Sequence, residues 1–374
     1  MKQSIKLIVG IVLKVVCWPL TILPMKQRVL FISFDGEKFS CNPKYIFQEI
    51  QKDSDGLELV WAFRDPKGYS NLKSVRYPSL KWLVYVCTSR ILISNNGFNF
   101  WLPKRKGQIR INTWHGGGAY KESDNQNNKS LAERNQDRLK AALDTHFISS
   151  CKKFTEEYLN NRTDFTGDIL EIGTPRNDLL IKKDKRTEDQ IREGLGISKN
   201  AFVVLYAPTW RENDKEIEQL DYSRIYKNLR EKYEEVIILV RAHHIYQKSL
   251  NIDGIDGLLN VTDYEDMQEL LLASDMLITD YSSSIWDMIH LGRPVLLFTP
   301  DLDDYRATRS FHVDIMLWGL PLLKTMDQMI SYISTDSYLN LNNFEQHKQL
   351  FGSFEGGNAS KKIADFIRMS TTYK

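Results

Sequence analysis

The chain has 374 residues, 42% of them hydrophobic and 26% charged, a balance that excludes a disordered, collagen-like or coiled-coil protein. At roughly 150 residues per domain, such a length predicts two to three domains. Its 50 Lys and Arg against 48 Asp and Glu leave a formal net charge of +2, which argues against a dedicated nucleic-acid binder.

The first 26 residues predict an amphipathic, membrane-associating segment. Ile5–Leu23 is apolar, with Lys2, Lys6, Lys14, Lys26 and Arg28 in and around it. A span needs about 20 uninterrupted apolar residues. Lys14 interrupts this run, and a central Lys costs roughly 2.5–3.5 kcal/mol on insertion. No small-x-small cleavage site follows, so a signal peptide fits poorly. A helix in the headgroup plane, with Trp18 at the interface, fits better than a spanning helix or one packed on the protein.

Beyond it, β-branched runs alternate with helical stretches. Strands are expected at Arg28–Phe34, Leu57–Phe63, Arg90–Ser94, Ile109–Trp114 and Ile169–Ile172, with helices such as Pro43–Lys52 and Ser130–Leu143 between them. A second set follows at Ala201–Ala207, Glu235–Arg241, Met276–Asp280 and Pro294–Phe298. Continuous apolar strands separated by helices indicate parallel sheets covered on both faces. The expectation is an α/β protein with two doubly wound, Rossmann-like domains, 27–190 and 191–350, followed by a segment 351–374. The polar stretch Lys182–Asn200 is the expected linker. Cys17, Cys41, Cys87 and Cys151 form no C-x-x-C pair or Cys/His cluster, so reduced thiols are expected.

In open α/β sheets ligands bind beyond the carboxyl ends of the strands. Strand Ile109–Trp114 runs into His115-Gly116-Gly117-Gly118, with Lys121 close behind. An imidazole flanked by bare amides suits a general base beside an anion site, unless the segment is simply a tight turn. Strand Glu235–Val240 ends in Arg241-Ala242-His243, two cations on one side of the chain, for a phosphate or as a surface cluster. Thr279-Asp280-Tyr281-Ser282-Ser283-Ser284 precedes the helix Ile285–Leu291. Serines there cap the helix, and its N-terminus is also a ready phosphate site. Asp287 lies near enough to reach a ribose hydroxyl. Trp210 and Arg211 follow Ala201–Ala207 and offer stacking and a phosphate contact, or ordinary packing. The cluster Asp301–Arg309 lacks companion metal ligands, so no metal site is expected; a loop closing on a diphosphate through Arg309 is preferred.

No G-x-x-x-x-G-K-[ST] and no G-x-G-x-x-G after the first strand occur, which disfavours P-loop and Rossmann dehydrogenase chemistry. A base on one wall of a central cleft and a nucleotide diphosphate site on the other is the layout of a transferase using a nucleotide-activated group.

From Ser89 to Asp314 the chain resembles the CDP-glycerol glycerophosphotransferases of Gram-positive wall teichoic acid synthesis. The motifs that carry the resemblance are N-T-W-H-G with Lys121 and Asp124 after it, G-T-P-R-N-D at Gly173–Asp178, Y-A-P-T-W-R at Tyr206–Arg211, R-x-H at Arg241–His243, L-I-T-D-Y-S-S at Leu277–Ser283, and D-x-D-x-Y-x-x-x-R at Asp301–Arg309. The resemblance implies a GT-B-like fold, a C-terminal helix crossing back to the first domain, and peripheral attachment at the cytoplasmic face of the membrane. It implies CDP-glycerol or another CDP-polyol as donor, with no further cofactor, and an undecaprenyl-linked acceptor; a homo-oligomer is compatible with it. His115 would deprotonate an acceptor hydroxyl that attacks the β-phosphorus, releasing CMP. Arg211, Arg241, His243, Thr279, Asp280, Ser282, Ser283, Asp287 and Arg309 form the donor side, and Gly116, Gly117, Lys121 and Asp124 the acceptor side.

Where the family has Thr-Pro-Leu after W-H-G, this chain has Gly117-Gly118-Ala119-Tyr120, and His244 replaces Pro after R-x-H. R-G-F-Y-F-D becomes Arg309-Ser310-Phe311-His312-Val313-Asp314, and P-G-P becomes Gly319-Leu320-Pro321. These changes bear on substrate, and a CDP-ribitol transferase of capsule synthesis stays compatible with them. Two rival functions also fit the pattern: a sugar-nucleotide glycosyltransferase of the same fold, and a non-catalytic membrane partner of a wall-polymer complex.

Overall fold

The computed structural model describes residues 10, 12–54, 56–99, 101–121, 135, 138–161, 163, 165–209, 220–241, 256–340 and 343–372. The chain forms two α/β units, one from Met1–His115, Gln126–Asp178 and Phe354–Lys374, the other from Gly116–Asn125 and Leu179–Ser353.

In the first unit the apolar runs become β1 (Lys26–Ile32), β2 (Glu58–Phe63), β3 (Ser74–Arg76), β4 (Ser89–Ser94), β5 (Ile109–Asn112), β6 (His146–Ser149) and β7 (Asp168–Glu171). They lie in the order β3-β2-β1-β4-β5-β6-β7, parallel throughout. Strand alternation sends Val29, Phe31, Ile91 and Ile93 to one face, against Ile46, Phe47 and Ile50 of α1 (Cys41–Gln51) and Ile363 and Ile367 of the helix Ala359–Thr372. Leu30, Ile32, Val60 and Leu92 face the other way, onto Trp82 and Val86 of α2 (Leu80–Thr88). Strand order reverses between β1 and β4, the topological switch point where α/β sheets bind ligands.

The second unit repeats the plan with β8 (Phe202–Tyr206), β9 (Val236–Val240), β10 (Leu258–Asn260), β11 (Met276–Thr279), β12 (Val295–Phe298) and β13 (Leu322–Leu323), all parallel, in the order β10-β9-β8-β11-β12-β13. Its switch point lies between β8 and β11.

The stretch Lys182–Asn200 is not a linker. Lys185–Gly194 forms helix α3, capped by Asp184 on the Thr187 amide. Its polarity conceals burial: Arg192 is buried and pairs with Asp275 at 2.9 Å, and buried Glu188 pairs with Arg293 at 2.8 Å. Buried charges that are paired and hydrogen-bonded replace the apolar stripe that normally reveals such a helix.

At the N-terminus residues 12–17 are helical and a 3-10 turn covers Trp18–Ile22. Cys17 is buried, while Val12, Val15, Val16, Trp18 and Ile22 are exposed. Among the described residues no helix is long and apolar enough to cross a membrane. All four cysteines are unpaired and buried.

Candidate active site

The carboxyl ends of β1, β4 and β5 converge on His115. Asn112 accepts from the Trp114 amide at 3.0 Å, and the Thr113 amide donates to the Ser94 carbonyl at 2.8 Å. Buried Asn42 donates from Nδ2 to the Thr113 and Trp114 carbonyls, each at 2.9 Å. Trp114 is thereby held at φ 53, a left-handed conformation rare for a bulky residue and costing about 1–3 kcal/mol. Its ring stacks on that of His115, with centroids 4.7 Å apart.

His115 Nδ1 lies 3.0 Å from the Asn95 carbonyl oxygen. A carbonyl only accepts, so Nδ1 carries the proton and the neutral ring keeps its lone pair on Nε2, the tautomer a base requires. The residue is exposed, yet desolvation by the surrounding protein depresses its pKa below the ordinary histidine value. This desolvation is the largest cause; the Asn95 carbonyl opposes it, Arg176 reinforces it and Asp35 opposes it.

The motif Gly173–Asp178 secures this arrangement. Buried Arg176 donates from Nη1 to the His115 carbonyl, and its amide donates to Asn42 Oδ1 at 3.1 Å. The Thr174 amide and hydroxyl donate to Glu355 at 2.9 and 2.7 Å, and Asn177 Nδ2 does so at 3.2 Å. Asp178 accepts from the amides of Ala359 and Ser360 at 2.9 and 2.8 Å, at the start of the last helix. Gly173 is at φ +81, and a Cβ there would stand 2.7 Å from Glu355 Oε2. Sequence reasoning locates this motif without giving its members roles, and it misses Asn42 and Asn95. Asn95 directly follows a strand end, a signal that could have found it.

In the second unit the switch point is organised by Asp280. Its buried carboxylate accepts from the Thr209 amide at 3.0 Å, the Thr209 hydroxyl at 2.6 Å and the Tyr281 amide. Lys121 donates to Thr209 Oγ1 at 3.2 Å and bridges to Phe311, so this residue, expected on the acceptor side, stands among those expected on the donor side. Arg241 directly follows β9, with its amide on the Tyr206 carbonyl at 2.9 Å. Its Nη1 is buried with no hydrogen-bond partner among the described residues. Burial lowers its pKa, against the raising effects of Asp266 and Tyr264. The serine run opens helix α4 (Ser284–Leu291), and Ser283 at its N-cap makes no side-chain capping bond. Ser282 and Ser283 are both half-buried.

Several expected site residues are committed to the interior. Thr279 Oγ1 donates to the Ala207 carbonyl at 2.6 Å, and buried Asp287 accepts from Gln268 at 3.0 Å. Gly117 is buried, and a Cβ there would stand 2.3 Å from Trp286 Cδ1, so packing requires this glycine. Gly116 is half-buried beside it. Asp301 accepts from Tyr281 at 3.0 Å and Asp303 from Lys324 at 3.0 Å, while Arg309 is exposed. Asp124, Trp210, Arg211, His243 and His244 lie outside the described residues.

The family model for CDP-Glycerol:Poly(glycerophosphate) glycerophosphotransferase matches residues 19–369. A teichoic acid poly(glycerol phosphate) polymerase of Bacillus spizizenii is 31% identical over 368 residues, covering 92% of this chain and 93% of that protein. A polymerase of the same description from Bacillus subtilis is 28% identical over 366 residues; the match covers 92% of this chain and about half, 49%, of that protein. The solved structure of the wall teichoic acid polymerase TagF superposes with a TM-score of 0.84 at 25% identity, covering 99% of this chain and 97% of that one. With strands, strand-end residues and whole-length likeness in agreement, the chain belongs to the CDP-glycerol:poly(glycerophosphate) glycerophosphotransferase family of transferases.

Proposed function

We propose that the chain transfers glycerol phosphate from CDP-glycerol to a hydroxyl of a lipid-linked acceptor in teichoic acid synthesis, with His115 as general base. The observation that carries this reading is the bond from His115 Nδ1–H to the Asn95 carbonyl, which leaves Nε2 basic at a switch point. Nε2 takes the acceptor proton as the acceptor oxygen bonds to the β-phosphorus. The bond from that phosphorus to the bridging oxygen breaks, and CMP leaves with the electron pair. Arg241, Lys121 and Arg309 supply positive charge to the diphosphate, and Ser282 and Ser283 offer hydroxyls at a helix start. Asp280, Thr279 and Asp287 act by holding these elements in place.

In the same reading the two units are the halves of a GT-B-like fold, supported by likeness to the polymerase structure over 99% of the chain. The exposed Val12, Val15, Val16, Trp18 and Ile22 support an amphipathic segment that attaches the enzyme peripherally to the membrane.

Incubation with CDP-glycerol and a lipid-linked disaccharide is expected to release CMP, and His115→Ala to lower turnover by about 10² or more. Turnover with a UDP-sugar but with no CDP-polyol would establish a glycosyltransferase instead. Polymer synthesis undiminished by His115→Ala would establish a scaffold. Deleting residues up to Leu23 is expected to move the protein from vesicles to the soluble fraction with donor binding intact; continued sedimentation would count against the anchor.

A further inference from the structure

A cavity of about 420 Å³ opens beside His115 within the first unit, inside the range of roughly 300–1,000 Å³ typical of ligand pockets. Trp114, Phe147 and Tyr158 form an aromatic wall, with Trp114 4.8 Å from Tyr158 and 6.1 Å from Phe147 between ring centroids. Asp144 also lines it and is 4% exposed. One carboxyl oxygen, Oδ2, accepts from Asn112 at 2.9 Å, while the other, Oδ1, is buried with no hydrogen-bond partner among the described residues. Leaving such an oxygen unmatched is costly, so the carboxyl keeps capacity for one more hydrogen-bond donor.

The rest of the lining narrows the ligand. Lys140, exposed, and Asp35, also exposed, carry opposite charges, which favours neither a bare cation nor a bare anion in the interior. Amides from Asn96 and Asn99 add groups that both donate and accept. Carboxyl, amides and aromatic rings together suit a polyhydroxylated group, whose hydroxyls also donate and accept and whose C–H faces pack on rings.

We propose that this cavity seats the hydroxyl-bearing terminus of the acceptor, a polyol or a sugar end, with the Asp144 carboxyl bound to one hydroxyl and Lys140 near any adjoining phosphate. The assignment rests on the general-base reading of His115, which lines the same cavity. Asp144 is a specificity residue in it, set by Asn112. Desolvation holds its carboxyl up at about 7, against the lowering effects of Asn112, Arg110 and Lys104, so near neutral pH it serves hydroxyls as acceptor or as donor.

The test uses the full-length enzyme and two soluble acceptor probes, a short oligo(glycerol phosphate) and an N-acetylhexosamine disaccharide, with CMP release and isothermal titration as readouts. Ala141→Leu pushes carbon into the cavity without removing a hydrogen bond, and Asp144→Leu removes the carboxyl. Both are expected to raise the KM of the probe that binds by about 10-fold or more, with the CDP-glycerol Kd unchanged. Which probe binds identifies the terminus as polyol or sugar. An acceptor KM within about 2-fold of wild type in Ala141→Leu, with wild-type transfer intact, would overturn the cavity assignment alone, leaving a water-filled void. Probe binding that Ala141→Leu abolishes, in a wild type that transfers nothing, would uphold the cavity and overturn the transferase reading. A wild type that neither binds nor uses either probe overturns the cavity assignment as well.

Discussion

The two units share one winding scheme and gather different groups beyond it. Both sheets reverse direction between their first strand and their fourth, and both gather polar groups beyond that point. In the first unit those groups are Asn42, Asn95 and Arg176, and they act on the backbone around a single imidazole. In the second, one carboxylate, Asp280, fixes a loop beside Lys121 and near the end of the strand that Arg241 follows. A base must be held in one tautomer and one direction, which takes several hydrogen bonds and a strained Trp114. Charge stabilisation instead calls for preorganised cations and donors where charge develops, which residues at strand ends and helix starts can supply.

This contrast breaks first if the two sites fail to separate kinetically. His115→Gln is expected to cut kcat by about 10² or more while leaving the CDP-glycerol Kd within a few-fold, measured by CMP release and donor titration. Arg241→Gln is expected to do the reverse, raising the donor KM by about 10- to 100-fold, the scale of a charge-assisted hydrogen bond. A donor KM untouched by Arg241→Gln would remove the second unit from the donor site.

The units also carry opposing pH responses. In the second, burial lowers His290 and His347 to about 4, so between there and the ordinary value near 6.5 the unfolded chain binds more protons and stability rises with pH. In the first, Asp144 at about 7 binds its proton more tightly when folded than unfolded, so from about 4 to 7 its contribution falls as pH rises. Each slope is steepest at about 1.4 kcal/mol per pH unit. Melting curves from pH 4.5 to 6.5 should show His347→Gln flattening the rise and Asp144→Asn steepening it; the same change from both would contradict the assignment. A smaller effect comes from Arg176, whose charge depresses His115. With His115 as the proposed base, its neutral form is the active one, so the acid limb of kcat/KM should lie below about 6.5 and Arg176→Gln should move it upward. A limb that moves down, or not at all, denies Arg176 that role.

Much of this was legible before the structure because long buried strands announce themselves. Nine expected strands lie within a residue or two of observed ones, and their ends gave His115, Arg241 and Asp280 directly. β3, β10 and β13 escaped because two or three residues are too few for a period to register; β6, where Phe147 and Ile148 are buried, is missed as well although it is as long as β5 and β7. The run of glycines after His115 looked like an anion site, yet Gly117 answers to Trp286, a neighbour far away in sequence. Asp287 looked like a ribose ligand because a helical first turn is usually solvent-facing, whereas this helix is buried throughout. Asn42 and Asp144 were illegible for the same reason: each matters through partners that only the fold supplies.

The stitching of Gly173–Asp178 to residues 354–372 sets an order of events during synthesis. Thr174 and Glu355 are separated by 181 positions, and all of β8 to β13 is made between them. A ribosome therefore releases Arg176 and His115 long before Glu355 and the Ala359 and Ser360 amides emerge to anchor their loop. The first unit starts before the second and is completed after it, so a nascent chain carries His115 without the support that aims it until the helix Ala359–Thr372 emerges.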